Sequence, residues 1–248
     1  MTELLNLKNV TKSFGETTII NDFNFSVNKG ELRCLLGPNG AGKTTSLDLI
    51  TGRQSVTSGL ITFNNNDITK WQEHEIVRAG VGRKFQVPAV FKELSVKDNF
   101  EVAYGKQKGP FRNMFNMKGS SGIEKFEEII ELVGLQDRTQ QVAGLLSHGE
   151  TQWLEIGMVL MQDPELLLMD EPTAGMTEQE TSKTSEIFTK LKGSKTLIVV
   201  EHDMSFVREI ADIITVMHLG TELAEGNISE IENNARVQEV YLGSEGIS

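Results

Sequence analysis

Polar and apolar residues alternate in two stretches near the start of the chain, Leu5-Asn6-Leu7-Lys8-Asn9-Val10 and Asp22-Phe23-Asn24-Phe25-Ser26-Val27. A period of two gives a strand one apolar face, so both segments read as strands of a half-exposed antiparallel sheet. The pattern then changes. Leu32-Arg33-Cys34-Leu35-Leu36 is mostly apolar, and segments 166–169, 197–200 and 213–217 have the same character. Such runs suit strands buried on both faces. Helix-like segments lie between them at 43–50, 177–191 and 204–210. Strand and helix in alternation indicate a parallel sheet with crossover helices.

The middle of the chain breaks this rhythm. From about residue 96 to 142 the pattern is helical, with no convincing strand. Ile123, Phe126, Ile129, Ile130 and Val133 fall at helical spacing, whereas Phe111 to Gly122 is rich in Gly, Asn, Ser and Met and reads as a loop. The expected organisation is one domain over 1–248. Residues 1–86 and 147–248 would form an α/β core with an antiparallel part, and 87–146 a mainly helical insertion. No internal repeat is visible.

Composition narrows the function classes. The 248 residues suffice for one large α/β domain with a sizeable core. The net charge of −11 argues against nucleic acid as a partner, since its binders carry basic patches. No apolar run approaches the ~20 residues needed to cross a bilayer, and Met1 to Val10 lacks the features of a signal peptide. The chain is therefore expected in the cytoplasm, with any membrane crossing left to another subunit. The single cysteine, Cys34, lies in an apolar run and reads as a small core residue. His74 and His218 have no recognisable partner, and the nine methionines show no metal-ligand grouping.

The candidate chemistry begins after the third strand. Gly37-Pro38-Asn39-Gly40-Ala41-Gly42-Lys43-Thr44 fits the phosphate-loop pattern, and Thr45 follows it. Glycines let backbone N–H groups turn inward on phosphate oxygens, and the following helix aims its positive dipole end at the same anion. Lys43 is expected to neutralise the β and γ phosphates, and the Thr44 hydroxyl to coordinate Mg²⁺. The second piece is Leu166-Leu167-Leu168-Met169-Asp170-Glu171, a buried strand ending in two carboxylates. In open α/β sheets ligands bind at that end. Asp170 is placed for the Mg²⁺ shell, and Glu171 can reach and polarise a water attacking the γ-phosphate.

Leu145-Leu146-Ser147-His148-Gly149-Glu150, followed by a helix-like segment, resembles the signature motif of the ABC (ATP-binding cassette) ATPases, whose usual form is Leu-Ser-Gly-Gly-Gln. Ser147 is in any case a good helix N-cap. The resemblance covers nearly the whole chain and implies a phosphate-loop cassette fold with an N-terminal antiparallel part and a helical insertion. It implies head-to-tail dimers in which Ser147 and Gly149 of one cassette hold the γ-phosphate of ATP bound to the other. Phe14 resembles the aromatic that stacks on adenine. Gln86 resembles the Q-loop glutamine that senses Mg²⁺ and the γ-phosphate, and His202 the switch histidine. The family arrangement further implies ATP hydrolysis coupled to transport, with the cassettes peripheral on the cytoplasmic face of the membrane. Permease subunits and, indirectly, a solute-binding protein would be partners. The wider family also contains exporters and soluble ATPases.

Three positions depart from the family pattern. His148 replaces a glycine, Glu150 replaces a glutamine, and Ala174-Gly175-Met176-Thr177 lies where an aspartate is usual. Glu150 is expected to turn away from the nucleotide, and Thr177 with Glu180 to make a capping box. Within the family the compact chain resembles ATPase subunits of importers for branched-chain amino acids and related amides. Leu146-Ser147-His148-Gly149 followed by Gln152-Trp153-Leu154-Glu155-Ile156-Gly157-Met158 resembles the urea-importing members most, and Glu171-Pro172-Thr173-Ala174-Gly175-Met176-Thr177 and Phe85-Gln86-Val87-Pro88-Ala89-Val90-Phe91 also suit them, so urea is the first expected solute.

Overall fold

A computed structural model describes residues 2–84, 90–105 and 120–244. Two sheets organise it. The first is antiparallel, in the order β2-β1-β4-β5, from β1 (Glu3–Phe14), β2 (Thr17–Asn28), β4 (Ser58–Phe63) and β5 (Asn66–Asp67). The second has the order β10-β9-β3-β8-β7-β6. It contains β3 (Leu32–Leu36), β6 (Val81–Lys84), β7 (Leu166–Asp170), β8 (Thr196–Val200), β9 (Ile213–His218) and β10 (Thr221–Gly226). Its strands are parallel except for the antiparallel edge β10. The mixed sheet, the antiparallel N-terminal sheet and the helices agree with the expected cassette fold.

The alternation in β1 survives a fault in its register. Leu5 and Leu7 are buried on one face, and so is Val10, three residues further on. The register shifts between Leu7 and Val10, where Asn9 takes a φ of 51°. A bulge adds one residue and so returns the next apolar side chain to the same face. Asparagine tolerates this left-handed backbone better than most residues.

The central strands β3, β7 and β8 are buried throughout. Cys34 is fully buried in β3, and desolvation pushes its thiol pKa up. Arg33, in the same strand, is tolerated because Glu31 (2.6 Å), Thr215 (2.8 Å) and Glu225 all accept from its guanidinium. Four strands escaped the hydrophobic pattern. β4 is half exposed, β5 is only the exposed pair Asn66–Asp67, β10 is a partly exposed edge, and β6 reads Val-Gly-Arg-Lys. The two cations of β6 are nevertheless buried beside carboxylates: Arg83 beside Asp48 and Asp170, and Lys84 3.7 Å from Glu155.

The helices are α1 (Lys43–Ile50), α2 (Glu73–Arg78), α3 (Val96–Gly105), α4 (Ser120–Leu132), α5 (His148–Leu160), α6 (Glu178–Leu191), α7 (Met204–Ile210), α8 (Ile228–Glu232) and α9 (Ala235–Ser244). Helix α4 starts at Ser120, so Ser120, Ser121 and Gly122 are helical rather than part of the expected loop. Gly122 has a packing reason to be there: a Cβ would lie 3.2 Å from the Tyr104 ring of α3. The rest of that loop lies outside the described residues. Helix α5 is mostly buried beyond its first turn and joins the helical segment to the sheet. Phe100, Phe126, Ile129 and Trp153 share one apolar cluster with Leu167, Met169 and Val199 of the strands.

Candidate active site

The loop between β3 and α1 is shaped by its glycines. Gly37 and Gly42 have φ of 152° and 102°. A Cβ on Gly37 would lie 2.3 Å from the Met217 carbonyl oxygen, and one on Gly42 2.4 Å from Ile20 Cδ1. Neither backbone nor space admits a larger residue. The Lys43 ammonium donates to the carbonyls of Gly37 (2.7 Å) and Pro38 (3.1 Å), which holds it over the loop. Burial lowers its pKa, and Glu171 and Asp170 act in the opposite direction. Residues 39–45 line an open cleft of about 230 Å³ together with Ile19 and Glu171.

Strand β7 delivers the two carboxylates to this cleft. Asp170, its last residue, is buried, with the Thr44 hydroxyl beside it. Arg83 Nη2 lies 3.5 Å from Asp170 Oδ2, and Arg83 Nη1 is 2.5 Å from Asp48 Oδ1 of α1. Desolvation raises the Asp170 pKa, against the pull of Arg83 and Thr44. Glu171 then leaves the strand with a φ of 47°, and its N–H donates to Val200 O at 2.9 Å. A non-glycine residue in this region stores strain, a feature that clusters at functional sites.

Strand β8 lies between β3 and β7, so the residues at its C-terminal end enter between the loop and the carboxylates. His202 is placed there. Its Nδ1 lies 3.9 Å from Glu171 Oε1, and its side chain is exposed. Glu201 before it is fully buried and accepts from Thr173 N (3.1 Å), Thr173 Oγ1 (2.6 Å) and His202 N (3.2 Å). One carboxylate thus fastens the turn after Glu171 to the residue that faces Glu171.

The remaining expected site residues lie apart from this cleft. Phe14 ends β1 with its ring 48% exposed and Lys12 Nζ 4.6 Å from the ring centroid, so a face remains available to solvent. Ser147 caps α5 and Gly149 is in its first turn; neither lines the cleft. Glu150 is turned back, as expected. Its Oε2 accepts from Ser147 N (2.9 Å) and its Oε1 from Arg138 Nε (3.0 Å). Partial burial, which raises the Glu150 pKa, is outweighed by these bonds, so the pKa is lowered. Thr177 and Glu180 form the expected capping box on α6. Gln86 lies outside the described residues. Sequence reading missed the roles of Arg83 and Glu201, and saw only half of that of Glu180. The first two stand directly beside a loop and a strand end already singled out, which is the signal they offered.

A phosphate loop, a strand-end carboxylate pair and a facing histidine on one sheet edge define a nucleoside triphosphatase of the cassette class. The ABC transporter family model matches residues 20–174. The high-affinity branched-chain amino acid transport ATP-binding protein LivG of Salmonella typhimurium is 34% identical over 97% of this chain and 98% of its own length. BraF of Pseudomonas aeruginosa, of the same description, is 33% identical over 97% and 98%. Among solved structures, the MJ1267 ATP-binding cassette of an ABC transporter superposes with a TM-score of 0.87 at 31% identity, covering 97% of this chain and 99% of that one. The chain belongs to the ABC transporter family, as its ATP-binding, ATP-hydrolysing component. No helix among the described residues is long and apolar enough to cross a membrane.

Proposed function

We propose that this chain is the ATPase subunit of an ABC importer whose solute is a branched-chain amino acid or a related short amide. The observation that carries the ATPase part is the convergence of residues 39–45 and Glu171 on one cleft, with His202 3.9 Å from Glu171. LivG and BraF support the solute class, over nearly the full length of the chain. Urea becomes the second reading: it rests on the sequence details around Ser147–His148 and Gln152–Met158, while the matched relatives carry branched-chain amino acids in their names.

In this reading ATP lies along the phosphate loop with its adenine against Phe14. The loop N–H groups and the dipole of α1 bind its phosphates. The Lys43 ammonium leaves the Gly37 and Pro38 carbonyls for the β and γ phosphates, where it stabilises the charge of the transferring phosphoryl group. Glu171 orients the attacking water and accepts its proton, and His202 holds the γ-phosphate against it. The Thr44 hydroxyl and the Asp170 carboxylate, which stand beside each other, are the hard oxygen donors that suit Mg²⁺. When bound there, Mg²⁺ would neutralise phosphate charge. Gln86 would complete that shell. A second cassette, either a copy of this chain or a different one, would supply Ser147 and Gly149 to the same ATP. Residues 87–146 would transmit closure to permease subunits, which leaves the cassette peripheral on the cytoplasmic face.

Uptake of labelled leucine and of labelled urea by cells lacking the gene tests the assignment. Cells complemented with the parent, but not with Glu171→Gln, regain leucine uptake. Regain of urea uptake alone would move the solute to the second reading. Uptake indifferent to the gene for both solutes would remove the importer reading.

A further inference from the structure

The first turn of α5 is held by a carboxylate from its own chain. Glu180 Oε1 accepts from Ser147 Oγ (3.3 Å) and from Gly149 N (3.2 Å), while its Oε2 accepts from Thr177 N and Thr177 Oγ1, both at 3.0 Å. One side chain therefore bridges the N-termini of α5 and α6. Space is made for it: a Cβ on Gly149 would lie 2.4 Å from Glu180 Oε1. A second bond runs parallel. His148 Nε2 lies 2.9 Å from Ala174 O, and because a carbonyl only accepts, that nitrogen carries the proton. Gly175, with a φ of 75°, leaves the imidazole room. Both contacts join the N-terminal turn of α5 to the start of α6 or the turn just before it, and both use residues at or next to the departures from the family pattern.

We propose that Glu180 is an internal anion occupying the phosphate-receiving end of α5, and that it must be displaced before the γ-phosphate of a partner's ATP can dock on Ser147 and Gly149. The inference rests on the reading that these two residues receive that phosphate. Its physical basis is competition. The Ser147 hydroxyl and the Gly149 N–H are the donors a phosphate oxygen would use, and both are committed to Glu180. A carboxylate and a phosphate cannot share them, since like charges at such distances repel. The bonds are charge-assisted but 3.2–3.3 Å long and open to solvent, so the occupant competes for both donors without being locked in place. ATP sandwiching is thereby opposed in the resting chain, and the ATP concentration needed to close a dimer is raised. Glu180 acts through Ser147 and Gly149 and is a positioning residue.

The test is ATP-driven dimerisation of the Glu171→Gln chain, followed by light scattering after size exclusion. Adding Glu180→Gln removes the charge but keeps a residue that serves at the third position of a capping box, so α6 retains its start. The dimerisation midpoint then falls about fivefold or more in ATP. With Glu171 intact, the same change lowers KM for ATP more than it alters kcat. A purely structural role for Glu180 would move the midpoint the other way, and an unchanged or higher midpoint with Glu180→Gln overturns the proposal. Ser147→Arg serves as the separate control. If Ser147→Arg abolishes dimers while Glu180→Gln leaves the midpoint unmoved, the receptor reading stands and the proposal falls. If Ser147→Arg has no effect, or no chain dimerises, the receptor reading fails and the proposal falls with it.

Discussion

At the scale of single residues, Glu171 and Lys43 carry much of the proposed chemistry, and Glu201 holds part of the frame. Removing the Glu171 carboxylate charge leaves its turn intact, so Glu171→Gln is expected to lower kcat about 10²- to 10⁴-fold with ATP still bound, measured by phosphate release. Lys43→Ala removes the ammonium held over the loop, and ATP affinity in a nucleotide titration is expected to fall at least tenfold. Glu201 differs in kind. It accepts three bonds in a fully buried position, and Glu201→Ala leaves those donors unmet. Thermal unfolding should show a loss of about 1–3 kcal/mol, with kcat reduced because the turn after Glu171 loses its tether. The sequence made Glu171 legible because a carboxylate pair ends an apolar run and needs a reason to be there. Glu201 ends a similar run, but its role lies in a bond to Thr173, 28 residues earlier, and no local pattern encodes that pairing. Glu180 was legible only as half of a capping box. That its other oxygen crosses to α5 is a tertiary fact.

At the scale of elements, what could be read depended on whether one physical term dominated. β3, β7 and β8 announce themselves because burial on both faces demands apolar residues. β6 is as buried, yet it hides, because Arg83 and Lys84 are accommodated by Asp48, Asp170 and Glu155, far away in sequence. Such a strand is costly to break by halves. Glu155→Ala would leave the Lys84 ammonium buried beside an apolar site, and burial lowers the pKa of that amine. Caps are local, and those at Ser147 and Thr177 could be read from the sequence. Asp203, which sequence reading missed, caps α7 by accepting from Ser205 N (2.8 Å) and Phe206 N (3.3 Å). Asp203→Ala should cost about 1 kcal/mol in urea unfolding while α7 persists on the strength of Phe206, Val207 and Ile210 in the core.

At the scale of the whole molecule, the phosphate loop and the signature turn lie at separate places on one chain, so a complete ATP site in the proposed sandwich is shared between two. This gives a prediction that no single-chain site would share. Lys43→Ala spoils the loop and spares the signature turn; Ser147→Arg does the reverse. In a mixed pair one ATP site carries both defects and the other carries neither. Mixing the two inactive variants should therefore restore ATPase activity to about a quarter of the parent's, as half the dimers regain one of two sites. Failure of the mixture to recover any turnover would argue against the shared site. The acidic balance, −11 over the chain, leaves its surface poorly suited to nucleic acid, which fits a cassette working on permease subunits.

The indole of Trp153 is wedged into this arrangement. Its Nε1 donates to Thr184 Oγ1 of α6 at 3.0 Å, and the Lys183 ammonium lies 3.8 Å above its ring. The chain has one other tryptophan, Trp71, and it packs against a different core cluster. Trp153 is therefore a built-in optical gauge of the junction between α5 and α6. Any parting of the two helices withdraws a cation and a hydroxyl from an excited indole. The intrinsic fluorescence of a Trp71→Phe chain should then report, without a label, the moment at which the signature turn changes its partner.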